Sequence, residues 1–147
     1  MRAVFLLCCS LMVLPGVGCS DSPDIGPTVP VTGTLMIDSH PFIGATVSLV
    51  NPAAGTQVFA FGTSDDQGKF EIARLDGGLG VPPGEYAVIV SKWAMPDGSP
   101  IPEGKMAADV NAREVTPLQY RDVTTTPLHA RINAEGKNDL KLELSTR

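Results

Sequence analysis

The sequence predicts an all-β domain, a Greek-key β-sandwich of about seven strands, on two observations. The first is residues 82–92, where Pro82-Pro83-Gly84 opens into the uninterrupted block Tyr86-Ala87-Val88-Ile89-Val90. β-Branched and aromatic residues suit a pleated, buried surface, and the block is too short for a buried helix. Tyr86, Val88 and Val90 share one face and Ala87, Ile89 and Ser91 the other. A strand apolar on both faces belongs in the middle of a sheet. The second observation is punctuation: 15 glycines and 13 prolines are spread along 147 residues, as turns between short strands require. The length suits one domain.

The elements follow in order. Residues 29–38 predict a first strand with Val31, Leu35 and Ile37 on one face and Thr32, Thr34 and Met36 on the other. Ser39-His40-Pro41 turns the chain. Residues 45–50 alternate, with Ala45, Val47 and Leu49 inward and Thr46 and Ser48 outward. Asn51-Pro52 ends that strand. Residues 57–62 and 69–73 are expected to form a hairpin across Thr63-Ser64-Asp65-Asp66-Gln67-Gly68, with Phe70 and Ile72 inward. Residues 75–83 are a Gly-rich connector into the central strand.

After Lys92 the alternation fails. Residues 93–116 hold Pro96, Pro100 and Pro102, two Gly turns and a weakly helical stretch at 105–115. Structureless loops of this length are uncommon in compact domains and are often functional. Specificity is therefore expected here. Residues 121–128 are a loop, 129–133 a strand, and 139–144 a closing strand with Leu140, Leu142 and Leu144 inward.

The N-terminus speaks to location. Arg2 precedes an apolar run too short to span a bilayer, which fits a signal peptide over residues 1–18. Val17-Gly18-Cys19 resembles a bacterial lipobox, with Gly16 where an aliphatic residue usually stands. Cys8 and Cys9 would leave with the signal, so Cys19 would be the sole mature cysteine, and an unpaired thiol in an oxidising compartment is a liability unless acylated. Lipidation at Cys19 is the expectation. Residues 19–28, polar and Pro/Gly-rich, form a tether, and 29–147 form the domain. The net charge of −5 and a pI near 4.8 argue against nucleic acid as a partner.

Four segments carry a resemblance. They are Val31-Thr32-Gly33-Thr34-Leu35 with His40-Pro41-Phe42-Ile43-Gly44-Ala45; Thr63-Ser64-Asp65-Asp66-Gln67-Gly68-Lys69-Phe70; Pro83-Gly84-Glu85-Tyr86-Ala87-Val88-Ile89-Val90; and the closing leucine strand. Together they resemble the carboxypeptidase-regulatory-like, or transthyretin-like, β-sandwich domains of small bacterial lipoproteins. Ser64 departs from the hairpin pattern. The resemblance implies a non-catalytic accessory or binding module in an exported protein.

Chemistry-bearing candidates are few. His40 and His129 lie far apart and lack further ligands at metal spacing, so they are expected to be ordinary turn and strand residues. Asp65-Asp66 lacks the alternating carboxylates of a calcium loop and is better explained as a turn. Tyr120-Arg121 invites comparison with transthyretin-related hydroxyisourate hydrolases, but Asp122-Val123 follow in place of that family's ending. No nucleophile elbow or phosphate loop is present. Trp93 and Tyr120 are the possible ligand contacts; Trp93 is expected to cap the sandwich core, the other reading being an exposed ring that stacks on a sugar.

The expectation is an enzymatically inactive, monomeric, envelope-anchored interaction or structural module without cofactor or metal. Its partners would be the membrane, through lipid on Cys19, and an envelope protein. A surface carbohydrate-binding module is the alternative, and a hydrolase the distant one.

Overall fold

A computed structural model describes residues 26–54 and 57–147. The signal segment, Cys19 and all of the tether before Gly26 lie outside the described residues.

Among the described residues there are eleven short strands: β1 (Val31–Ile37), β2 (His40–Pro41), β3 (Thr46–Val50), β4 (Val58–Thr63), β5 (Lys69–Glu71), β6 (Ala73–Arg74), β7 (Gly84–Ser91), β8 (Trp93–Ala94), β9 (Arg113–Glu114), β10 (His129–Ile132) and β11 (Asn138–Leu144). Five pair in the order β10-β7-β3-β4-β6. In a second sheet β11 and β1 lie side by side, and β2 and β5 share the other edge of β1. The β1–β11 pair is parallel, with Val31 opposite Asn138 and Ile37 opposite Leu144. The fold is all-β, as the punctuation predicts.

The 82–92 block is an interior strand, β7, flanked by β10 and β3. Its Tyr86, Val88 and Val90 enter one core with Val47 and Leu49 of β3, Ala130 and Ile132 of β10, and Val31, Leu35, Leu142 and Leu144 of the other sheet. The two sheets thus bury their apolar faces against each other. Gly33 has a packing reason: a Cβ there would lie 2.4 Å from the Phe70 ring and 2.5 Å from the Leu140 carbonyl oxygen. The Phe70 side chain can occupy the core because the strand beside it has no side chain of its own.

Three expectations are corrected. The 57–62 and 69–73 segments pair only at Phe61 and Ala73, where β4 meets β6; Lys69–Glu71, as β5, pair with β1 instead. The turn between them carries the chain from one sheet to the other, which lets Phe70 and Ile72 both reach the core. Ser48, expected outward, is buried, because on the middle strand it stands between the larger side chains of Phe61 on β4 and Ile89 on β7. The 105–115 stretch holds a single 3-10 turn at Ala107–Val110, stopped by Asn111 in the left-handed region at φ 52°. Leu75, Leu79 and Val81 lie in what was expected to be a connector; there Ala73 bridges Leu79, and Val29 bridges Val81.

Candidate functional site

The long loop at 93–116 is anchored rather than loose. It leaves β7 at Lys92 and returns as β9, which pairs antiparallel with β8: Trp93 lies opposite Glu114, and Ala94 opposite Arg113. Strand alternation then decides the side chains. Ala94 is buried, and Trp93 points outward with half of its surface (50 %) exposed. The core-capping position is therefore corrected, because the inward place on this two-residue strand belongs to Ala94.

Glu114 fastens the loop to the end of β7. Its carboxylate accepts hydrogen bonds from Ser91 Oγ (2.5 Å), from the Lys92 N–H (2.8 Å) and from the Thr116 N–H (3.2 Å). The Thr116 hydroxyl oxygen, fully buried, accepts a second bond from the Lys92 N–H (2.9 Å). Arg121 Nε donates to the Thr116 carbonyl and Nη2 to that of Glu114 (3.2 Å). Partial burial pushes the Glu114 carboxyl up, but these hydrogen bonds to the ionised form together outweigh it and hold its pKa below the ordinary value. At the same corner the Lys92 ammonium lies 4.9 Å from the centre of the Phe42 ring.

Above this base lies an open groove of about 890 Å³, lined by Trp93, Pro96, Met106, Ala108, Asn111 and Arg113, with Ala107 and Ala112 between. Met106 is 73 % exposed. Asp109, at the rim, accepts from the Met106 N–H (3.1 Å), which fixes the start of the 3-10 turn. An indole, a thioether, several methyl groups, one carboxamide and one guanidinium are suited to recognition by contact. The lining holds no nucleophile beside a base.

The other candidates lie elsewhere. Tyr120, expected as a possible ligand contact, is a core residue at 4 % exposure whose hydroxyl oxygen accepts from the Ser145 N–H (3.0 Å). That position is corrected: a 3-10 turn at Leu118–Tyr120 turns the ring inward. His40 is exposed on β2, its Nδ1 2.8 Å from the Asp38 carbonyl oxygen. His129 lines a shallow hollow with Pro52, Glu85, Tyr86, Ala130 and Arg131, which includes neither Arg121 nor Asp122. Asp122 is occupied by its own turn, accepting from the N–H and hydroxyl of Thr124. Asp65 closes its turn by accepting from the Gln67 and Lys69 N–H groups, both at 2.8 Å. Among the described residues no group of three or more His, Cys, Asp or Glu could hold a metal ion.

Met106, Asn111 and Arg113 were not singled out from the sequence, although they fall in the loop where specificity was expected. No family model matches the chain, and neither a curated protein nor a solved structure gives a significant match.

Proposed function

We propose that this chain is a non-enzymatic, envelope-anchored lipoprotein whose domain is a protein-interaction module, with the Trp93 groove as its contact surface. The observation that carries the reading is the half-exposed indole, held on a hydrogen-bonded ladder beside an apolar groove. Aromatic rings, Met and Arg are the side chains enriched where proteins meet, and a pre-ordered ring binds with little further loss of conformational freedom. The sequence pattern at residues 1–19 supports export and acylation at Cys19. The carboxypeptidase-regulatory-like family remains our reading of its kinship, supported by where the four motif segments fall: on β1–β2, on the sheet-crossing turn, on β7 and on β11.

A second reading, a carbohydrate-binding module, draws on the same exposed ring, since sugar faces stack on an accessible indole. One experiment separates the two. A photo-cross-linking amino acid is placed at Met106 in cells, and at Lys141 on β11 as the reference. One recurrent protein captured from 106 and not from 141, and lost with Trp93→Ala, is the expected result. Because Trp93 is the sole tryptophan, glycan binding would instead shift the intrinsic fluorescence on titration with peptidoglycan fragments. If neither a protein nor a glycan engages the groove, both readings fall and a surface spacer is left.

A further inference from the structure

At the far end of the sandwich a second apolar feature marks the point where the chain joins the domain. Val29 and Val81 exchange backbone hydrogen bonds at 2.9 and 3.0 Å, and Thr28 Oγ1 donates to the Leu79 carbonyl (3.5 Å). Gly80 permits this approach, because a Cβ there would lie 2.3 Å from the Val29 carbonyl oxygen. The segment leading back to Cys19 therefore leaves the domain alongside the 73–81 hairpin. Ten residue steps separate Cys19 from Val29, a reach of at most about 35 Å. With Cys19 acylated, this corner is the attachment point and stays within that reach of the bilayer.

The hairpin tip has the chemistry of a lipid contact. Leu75 and Leu79 are 67 % and 64 % exposed. The charges beside them cancel: Arg74 Nε donates to Asp76 Oδ1 at 3.1 Å, while Arg74 Nη1 donates to the Leu79 and Gly80 carbonyls. Asp76 Oδ1 also accepts from the Gly78 N–H (2.9 Å). The two leucines thus stand on a rigid, locally neutral turn. Single exposed leucines are ordinary on protein surfaces. Two on one seven-residue tip, at the tethered corner, are a patch with a neighbour. A net charge of −5 gives anionic headgroups no reason to attract the domain, so apolar insertion would have to do so.

We propose that the Leu75–Leu79 hairpin docks on the surface of the bilayer that holds Cys19, placing both side chains at the boundary between headgroups and acyl chains. The proposal rests on the anchoring reading above. Two leucines bind a membrane weakly in free solution, but the tether makes the contact intramolecular and raises its effective concentration. Docking also fixes orientation. β7 starts near this corner at Gly84 and runs eight residues away, about 25 Å. The Trp93 groove, at its far end, faces away from the lipid towards a partner.

The test uses the full-length protein purified from cells, with the mass of its acylated N-terminal peptide measured first. Leu79→Cys is labelled with an environment-sensitive fluorophore, acylated Cys19 having no free thiol, and the protein is reconstituted into phosphatidylcholine vesicles with or without brominated acyl chains. The same label at Lys141→Cys is the reference, and native Trp93 is an internal one. The expected result is at least twofold stronger quenching at 79 than at 141, Trp93 unquenched, and the quenching at 79 at least halved by Leu75→Ser. Equal quenching at 79 and 141 in acylated protein overturns docking while anchoring stands. Quenching of Trp93 overturns the orientation. Absence of an acyl mass on Cys19 overturns anchoring, and docking with it.

Discussion

Ser64 shows how much one side chain can settle. It departs from the pattern expected over residues 63–70, and its buried hydroxyl donates to the Phe42 carbonyl at 2.6 Å while accepting from the Ala45 N–H at 2.9 Å. It therefore ties the turn between β2 and β3 to the end of β4, where the chain changes sheets. Ser64→Ala leaves a buried N–H and a carbonyl without their partner, which costs about 1–3 kcal/mol. Urea unfolding is expected to show that loss with an unchanged m value, and a change below about 0.5 kcal/mol would remove the clamp from the account. The departure was visible in the sequence, but its purpose was not, because the partners stand 19 and 22 residues away. Trp93 taught the reverse lesson. Its candidacy as a contact was legible from its rarity and its place in the loop. Its direction was decided by Ala94, a neighbour whose small size gives no signal until the ladder forms.

At the scale of elements, legibility followed period. β1 and β11 were readable because burial alternates along them, β3 because Val47 and Leu49 alternate with polar residues although Ser48 is buried too, and β7 because it is a short run apolar on both faces. β8 and β9 hold two residues each, too few for any period, so their pairing was hidden. The Glu114 carboxylate helps to hold that ladder, with Thr116 and Arg121, so its protonation is expected to loosen the loop. Hydrogen bonding holds the folded pKa below the ordinary glutamate value of 4.5, in spite of partial burial. A depressed folded pKa contributes stability that is complete above 4.5 and is lost as the pH falls through the lower folded value. Acid titration of the Trp93 emission is therefore expected to show a transition below 4.5, with the loop loosening on its acid side. In Glu114→Gln that step should vanish, and the emission should match the loosened state at all pH values. A wild-type transition near neutrality would assign the loop's stability to another group.

For the whole molecule, the decisive pairing joins the two ends of the domain. β1 is the first strand and β11 the last, and they lie parallel in register over seven residues. Each strand was legible alone; their adjacency was not, since nothing local in either sequence names the other. The consequence is cooperative. β11 brings Leu142 and Leu144 into the core and covers one edge of β1, while β2 and β5 share the other. Removing residues 138–147 strips both leucines, each worth about 1.5–3 kcal/mol when buried, and exposes a long hydrogen-bonding edge beside an open core. Against a typical total stability of about 5–15 kcal/mol, that loss is a large share, before the opened core is counted. The truncated chain is expected to show no cooperative urea transition and to aggregate, whereas a chain starting at Val29 should unfold as the full-length protein does. A cooperative transition in the chain lacking 138–147 would mean that the five-stranded sheet is stable by itself. In that event the groove, fixed to β7, should still bind whatever partner the cross-linking identifies without β11, so a binding assay on the same truncated chain would tell whether the Trp93 surface depends on the closed sandwich or on its own sheet alone.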